Sequence, residues 1–133
     1  MVDAVPLFAA FVVAHLVADY PGQGDFLARA KNASAPIPGV PWRTILASHA
    51  AIHGAAAWAV VAVFLALGGM DPRAAVRLGL VFGVAEAGFH ATIDHLKCSG
   101  RLGAVGEGSF NRDQILHLAC KALWTAILLW VLR

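Results

Sequence analysis

Four apolar stretches of this 133-residue chain each carry a pair of ligand-type side chains four positions apart. The pairs are His15 with Asp19, His49 with His53, His90 with Asp94, and Asp113 with His117. On an α-helix, residues i and i+4 lie about 40° apart around the axis, so each pair shares one face. Each is a two-pronged polar claw on an otherwise apolar surface. Imidazoles and carboxylates together form an N/O donor set suited to a divalent metal, with zinc the first candidate and iron or manganese the others. A single claw has a plain structural explanation, since polar side chains commonly join helices in lipid. The claws together are harder to explain that way. Burying Asp19, Asp94 and Asp113 without cations costs several kcal/mol each or forces protonation, whereas a bound metal removes the difficulty. The donors outnumber what one tetrahedral ion needs. Either two metals bind, or some groups orient the ligating imidazoles from behind.

Glu86 shares a stripe with His90, Asp94 and Lys97, all within about 80° of arc at 100° per residue. As a spare carboxylate it is a candidate general base on a metal-bound water, which would make a hydrolase working at the lipid boundary. The competing reading, of equal weight, is an interhelical hydrogen-bond partner. Lys97, Lys121 and Arg112 offer partial neutralisation and could hold a phosphate or carboxylate of a substrate. His95 lies about 140° around the helix from His90 and is excluded. A bis-histidine haem leaves the aspartates unexplained.

The composition states where such claws must work. Hydrophobic residues make up 59% of the chain and charged residues 14%, and the mean hydropathy is +0.71. Soluble domains average about 25% charged residues, so the chain reads as a single integral-membrane domain with the lipid bilayer as its partner. A net charge of +2, dispersed along the chain, excludes a nucleic-acid binder. Cys98 and Cys120 form no CxxC and read as buried structural thiols.

The expected fold class is all-α: a four-helix transmembrane bundle running up-down-up-down, with a short amphipathic interfacial helix after the first span. The spans fall at about 4–20, 42–67, 72–97 and 111–132. The start lacks the basic residues of a leader peptide and reads as a retained span. Pro21 ends the first helix. Asp25 caps a short helix over 26–32, with Arg29 and Lys31 facing water. Residues 34–41 are too proline-rich for regular structure. Trp42 and Arg43 suit a membrane interface. Gly68, Gly69 and Met70 end the second span, and Asp71 with Pro72 starts the third as cap and first residue. Gly79 and Gly83 make a close-packing stripe. Residues 98–108 form a glycine-rich loop, and Asn111 with Gln114 resembles a cap pair.

Alternating helix direction brings all four claws to one side of the membrane, because they sit at the end, start, end and start of successive spans. The claw-side flanks hold Arg29, Lys31, Arg43, Lys97, Arg101 and Arg112, against Arg73, Arg77 and Arg133 opposite. That bias places the claws at the cytoplasmic face of a bacterial inner membrane and both termini outside. The opposite half, 60–67 and 126–132, is apolar, which argues against a polar path through both leaflets.

The segments 15–31, 90–97 and 110–117 carry the order HxxxD-x-x-x-Q-x-D, HxxxD and DQxxH, with a histidine-bearing span between the first two. This order resembles a family of small bacterial and phage membrane proteins known as domain of unknown function 3307. The resemblance implies site roles for His15, Asp19, Gln23, Asp25, His49, His90, Asp94, Asp113, Gln114 and His117. The chain departs from that pattern at Tyr20 and Gly24. The resemblance implies a fold and a site, and supplies no reaction or substrate. The residues leave three readings open: a metal-dependent hydrolase, a non-catalytic metal or proton carrier, or a structural protein serving a homo-oligomer or a membrane-protein partner.

Overall fold

The computed structural model describes residues 3–103 and 107–133. The chain is all-α and 79% helical, with five helices and no strand among the described residues. They are α1 (Ala4–Asp19), α2 (Gly24–Ala30), α3 (Trp42–Leu67), α4 (Pro72–Cys98) and α5 (Glu107–Val131).

Helix α1 has 16 residues, about 24 Å at 1.5 Å per residue, against about 30 Å of hydrocarbon in a bilayer. It ends ahead of Pro21, as expected. Gln23 then reaches back, its Nε2 donating to the Asp19 carbonyl at 3.2 Å and closing an open helix end. The chain turns so sharply that α2 makes an 86° angle with α1. Helix α2 begins at Gly24, whose φ of +62° no β-carbon has to share, and ends at Ala30. The expected helix over 26–32 is thus displaced toward the N-terminus. Asp25 is not its cap: Gln23 holds that position, and Asp25 sits exposed in the first turn, where its charge meets the helix dipole.

Helices α3 and α4 form an antiparallel hairpin. Asp71 Oδ1 accepts from the amides of Arg73 and Ala74, both at 3.0 Å, with Pro72 as the first helical residue. Along the hairpin the two backbones touch. A β-carbon placed on Gly83 would stand 2.7 Å from the Gly54 carbonyl oxygen, and one on Gly54 would stand 2.6 Å from that of Gly83. One turn further, Gly79 lies under Trp58, whose indole donates to the Val76 carbonyl at 3.2 Å. Gly79 and Gly83 therefore serve the packing role their spacing implies, with Gly54 as the partner across the interface.

Helix α5 starts at Glu107, four residues before Asn111. Asn111 and Gln114 lie inside the helix, so they are not a cap pair. Residues 104–106 of the expected loop fall outside the described residues. The early start brings Phe110 beneath the Lys97 ammonium, 5.4 Å from its ring centroid. Gly108 opposes this by only about 1 kcal/mol. Cys98 and Cys120 are free thiols, half-buried rather than buried.

At the end of the molecule away from the claws, Leu7, Phe11, Val61, Leu65, Phe82 and Leu128 form the apolar core. Large apolar side chains also cover the outside, including Val5, Val63, Leu67, Val84 and Trp130. A buried polar cluster at one end and an outside covered with large apolar side chains depart from the pattern of a water-soluble fold. Helices α3 and α4, and α5 from Phe110 onward, are long and apolar enough to cross a membrane. Helix α1 adds a fourth only when counted with α2 as one broken span.

The glycine contact generates a matched pair of outcomes. Gly83→Ala forces the hairpin apart and should destabilise the protein by about 1–3 kcal/mol. Gly88→Ala, with nothing within 4 Å of the new methyl, should leave stability unchanged or slightly raised. Thermal unfolding of the two variants in detergent checks this; equal losses would mean that the α3–α4 contact is not tight.

Candidate metal centre

The four claws meet. His15 comes from α1, His49 and His53 from α3, His90 from α4 and His117 from α5, and all five imidazoles are buried. Their rings pack as one cluster, with centroids 3.5 Å apart for His53 and His90, 4.4 Å for His90 and His117, and 4.7 Å for His15 and His117. The i,i+4 spacing aligns the prongs of each claw, and the Gly54–Gly83 contact holds the α3 and α4 claws face to face.

The carboxylates thread through this cluster. Asp19 Oδ1 lies 3.1 Å from His53 Nε2 and 3.4 Å from His49 Nε2, while its Oδ2 lies 3.3 Å from His15 Nε2. His49 Nε2 and His90 Nε2 are 3.0 Å apart. Asp94 faces two ways. Its Oδ2 is 3.4 Å from His49 and 3.6 Å from His90, and its Oδ1 is 3.7 Å from His117. Asp113 Oδ1 stands 3.4 Å from His117 Nε2.

These separations match a metal's coordination sphere. Two donors each about 2.1 Å from a tetrahedral ion stand about 3.4 Å apart. One donor atom from each of Asp19, His49, His53 and His90 lies within 4.8 Å of the others. The same holds for His90, Asp94 and His117, and for His15, His53, Glu86 and His90. Several imidazole nitrogens are buried without a hydrogen-bond partner: both of His15, both of His117, and Nδ1 of His49 and of His90. The contacts of His15 and His117 with aspartates are thus close approaches lacking hydrogen-bond geometry. Such orphaned nitrogens are costly in an apolar interior, and lone pairs gathered around a common centre are what a metal ion uses.

Cations reach three of the carboxylates. Lys31 Nζ lies 2.5 Å from Asp94 Oδ2, and Lys97 Nζ lies 2.6 Å from Asp113 Oδ2. Lys121 pairs with Glu86 Oε1, and Trp124 Nε1 donates to Glu86 Oε2 at 2.6 Å. Both oxygens of Glu86 are therefore held, and Oε1 stands 3.9 Å from His90 Nδ1. Gln114 Nε2 donates to Asp113 Oδ2 at 3.2 Å. Asp25 lies outside the cluster.

Two expectations about the cations need correction. Lys31 does not face water but is buried at 8% exposure, because the bend after α1 lays the end of α2 across the mouth of the cluster. Arg112 does not neutralise an aspartate. It is exposed and donates to the Leu102 carbonyl at 2.7 Å. His95, excluded by its angle, lies outside the cluster and stacks on Trp42 with centroids 5.7 Å apart.

A cleft of about 240 Å³ opens beside the cluster. Asp19, Asp94 and Asp113 line its inner part, with Lys31, Lys97, Gln23 and Gln114, and the exposed rings of Tyr20 and Phe110 flank it.

No curated protein and no solved structure matches the chain. A sequence-family profile, described as "Protein of unknown function (DUF3307)", matches residues 7–132 and so takes in every claw. By that match over nearly its whole length, the chain belongs to the DUF3307 family.

Proposed function

We propose that this is a four-span membrane protein, running up-down-up-down, whose inward-facing claws hold a divalent metal near the cytoplasmic face. The observation that carries the reading is the set Asp19, His49, His53 and His90, whose donor atoms converge within 4.8 Å beside imidazole nitrogens that have no other partner. Zinc suits the set best, and iron and manganese accept the same donors. His15, Asp94, Asp113 and His117 complete the shell or supply a second position.

For chemistry, the cleft beside the centre is the natural approach for a substrate, and hydrolysis by a metal-bound water is the reaction class. Glu86 is better placed as an anchor than as the general base, because Lys121 and Trp124 occupy its lone pairs.

A second reading has its own support. The pairs Lys31–Asp94, Lys97–Asp113 and Lys121–Glu86 already compensate three carboxylates, so the cluster could serve only to fix helix packing. Metal analysis of protein purified in detergent separates the two. The metal reading expects stoichiometric zinc, iron or manganese. His90→Ala should lose it while His95→Ala keeps it, and equal behaviour of the two variants would sink the reading. Imidazoles ligate only when neutral and carboxylates when ionised, so retention should also fall on acidification.

Orientation is checked separately. With Cys98 and Cys120 replaced by serine, a cysteine introduced as Ala35→Cys should resist impermeant thiol reagents in intact cells and react after permeabilisation. Labelling from outside would invert the proposed topology.

A further inference from the structure

We propose that the cleft beside the metal centre is a phosphoryl-binding subsite that becomes competent only when the metal is bound. This rests on the metal reading above.

The argument begins with charge. Asp19, Asp94 and Asp113 face the cleft together with the ammoniums of Lys31 and Lys97. With neutral imidazoles, three carboxylates against two ammoniums leave the cleft net negative, and it repels anions. A divalent cation reverses that sign. The cation also competes for Asp94, which stands with His90 and His117 in one metal-capable group while its Oδ2 lies 2.5 Å from Lys31 Nζ. An aspartate shared with a metal holds its lysine less strongly. Lys31 and Lys97 then stand beside a dipositive ion, and an anion between them compensates the added charge.

The space and the remaining donors fit that anion. About 240 Å³ holds several waters or one phosphoryl group. Gln114 lines the cleft and donates to Asp113 Oδ2 at 3.2 Å, which leaves the second N–H of its amide for an anion. A tetrahedral phosphoryl group has enough oxygens to meet both lysines while directing another toward the metal; a charge-assisted hydrogen bond to each is the strong kind. The cleft lies at the polar end of the spans beside α2, with Tyr20 and Phe26 exposed. The phosphoryl group is thus within reach both of the aqueous phase and of lipid headgroups.

Calorimetric titration of the full-length, detergent-solubilised protein tests this, in its zinc-loaded form and after stripping with a chelator. Inorganic phosphate and short-chain phosphatidic acid are the two probes. The zinc-loaded protein should bind at least one probe about tenfold or more tightly than the stripped protein, a charge-assisted contact being worth about that factor. Lys31→Met and Lys97→Met should keep the zinc and lose the phosphoryl affinity by a similar factor. Tighter binding of phosphatidic acid assigns the subsite to a lipid headgroup; equal affinities assign it to a soluble phosphate. Zinc dependence in the unmodified protein is decisive even if the lysine variants fail to fold. A protein that takes up zinc but binds neither probe more tightly overturns this inference and leaves the metal reading standing. A protein that takes up none of zinc, iron and manganese overturns both.

Discussion

Carboxylates held among imidazoles in an apolar bundle must be compensated, and most of this structure can be traced to that requirement. Asp94 and Asp113 are almost wholly buried. Left ionised and alone they would be prohibitive; left neutral they would sit beside lysines that demand charge. The fold answers with one ammonium for each, and with a third for Glu86. Two of those ammoniums come from segments that must be folded onto the cluster. Lys31 arrives through the bend between α1 and α2, and Lys97 from the last turn of α4. Even the early start of α5 belongs here, since Phe110 provides the ring against which Lys97 lies.

The second constraint is backbone proximity. The α3 and α4 imidazoles approach to 3.0 Å because the helices themselves touch at Gly54 and Gly83. In lipid, apolar side chains give little advantage to one helix pairing over another, so small residues and polar contacts must choose the register. Here both act on the same pair of helices, a turn or two apart. The glycines set how near the helices come, and the imidazoles and Asp94 set how far one can slide along the other.

What was legible in the sequence follows from what is periodic. The claws repeat at helical spacing inside apolar runs, and their positions along the chain foretell that His15, His53, His90 and His117 share a level. The Asp71–Pro72 start and the glycine stripe are equally local, and local signals read well. The misreadings are non-local. Nothing near Lys31 in the chain says that α2 folds back at 86° to bring it against Asp94, 63 positions away. Arg112 and Lys97 look alike on a charge count, and only three-dimensional placement separates the one on Asp113 from the one on a loop carbonyl. The start of α5 was hidden because Gly108 and Ser109 favour a loop by small amounts that tertiary packing overrides.

The apolar seal opposite the cluster has a thermodynamic consequence. Leu7, Phe11, Val61, Leu65 and Leu128 fill the far half of the interior, so polar access to the imidazoles runs from a single end. In the proposed four-span placement, anything bound there would exchange with one reservoir only. Its occupancy would track the chemical potential of that reservoir alone, and a concentration gradient across the bilayer would do no work through it. A monomer so placed would equilibrate with one compartment, as a gauge does, where a conduit would couple two.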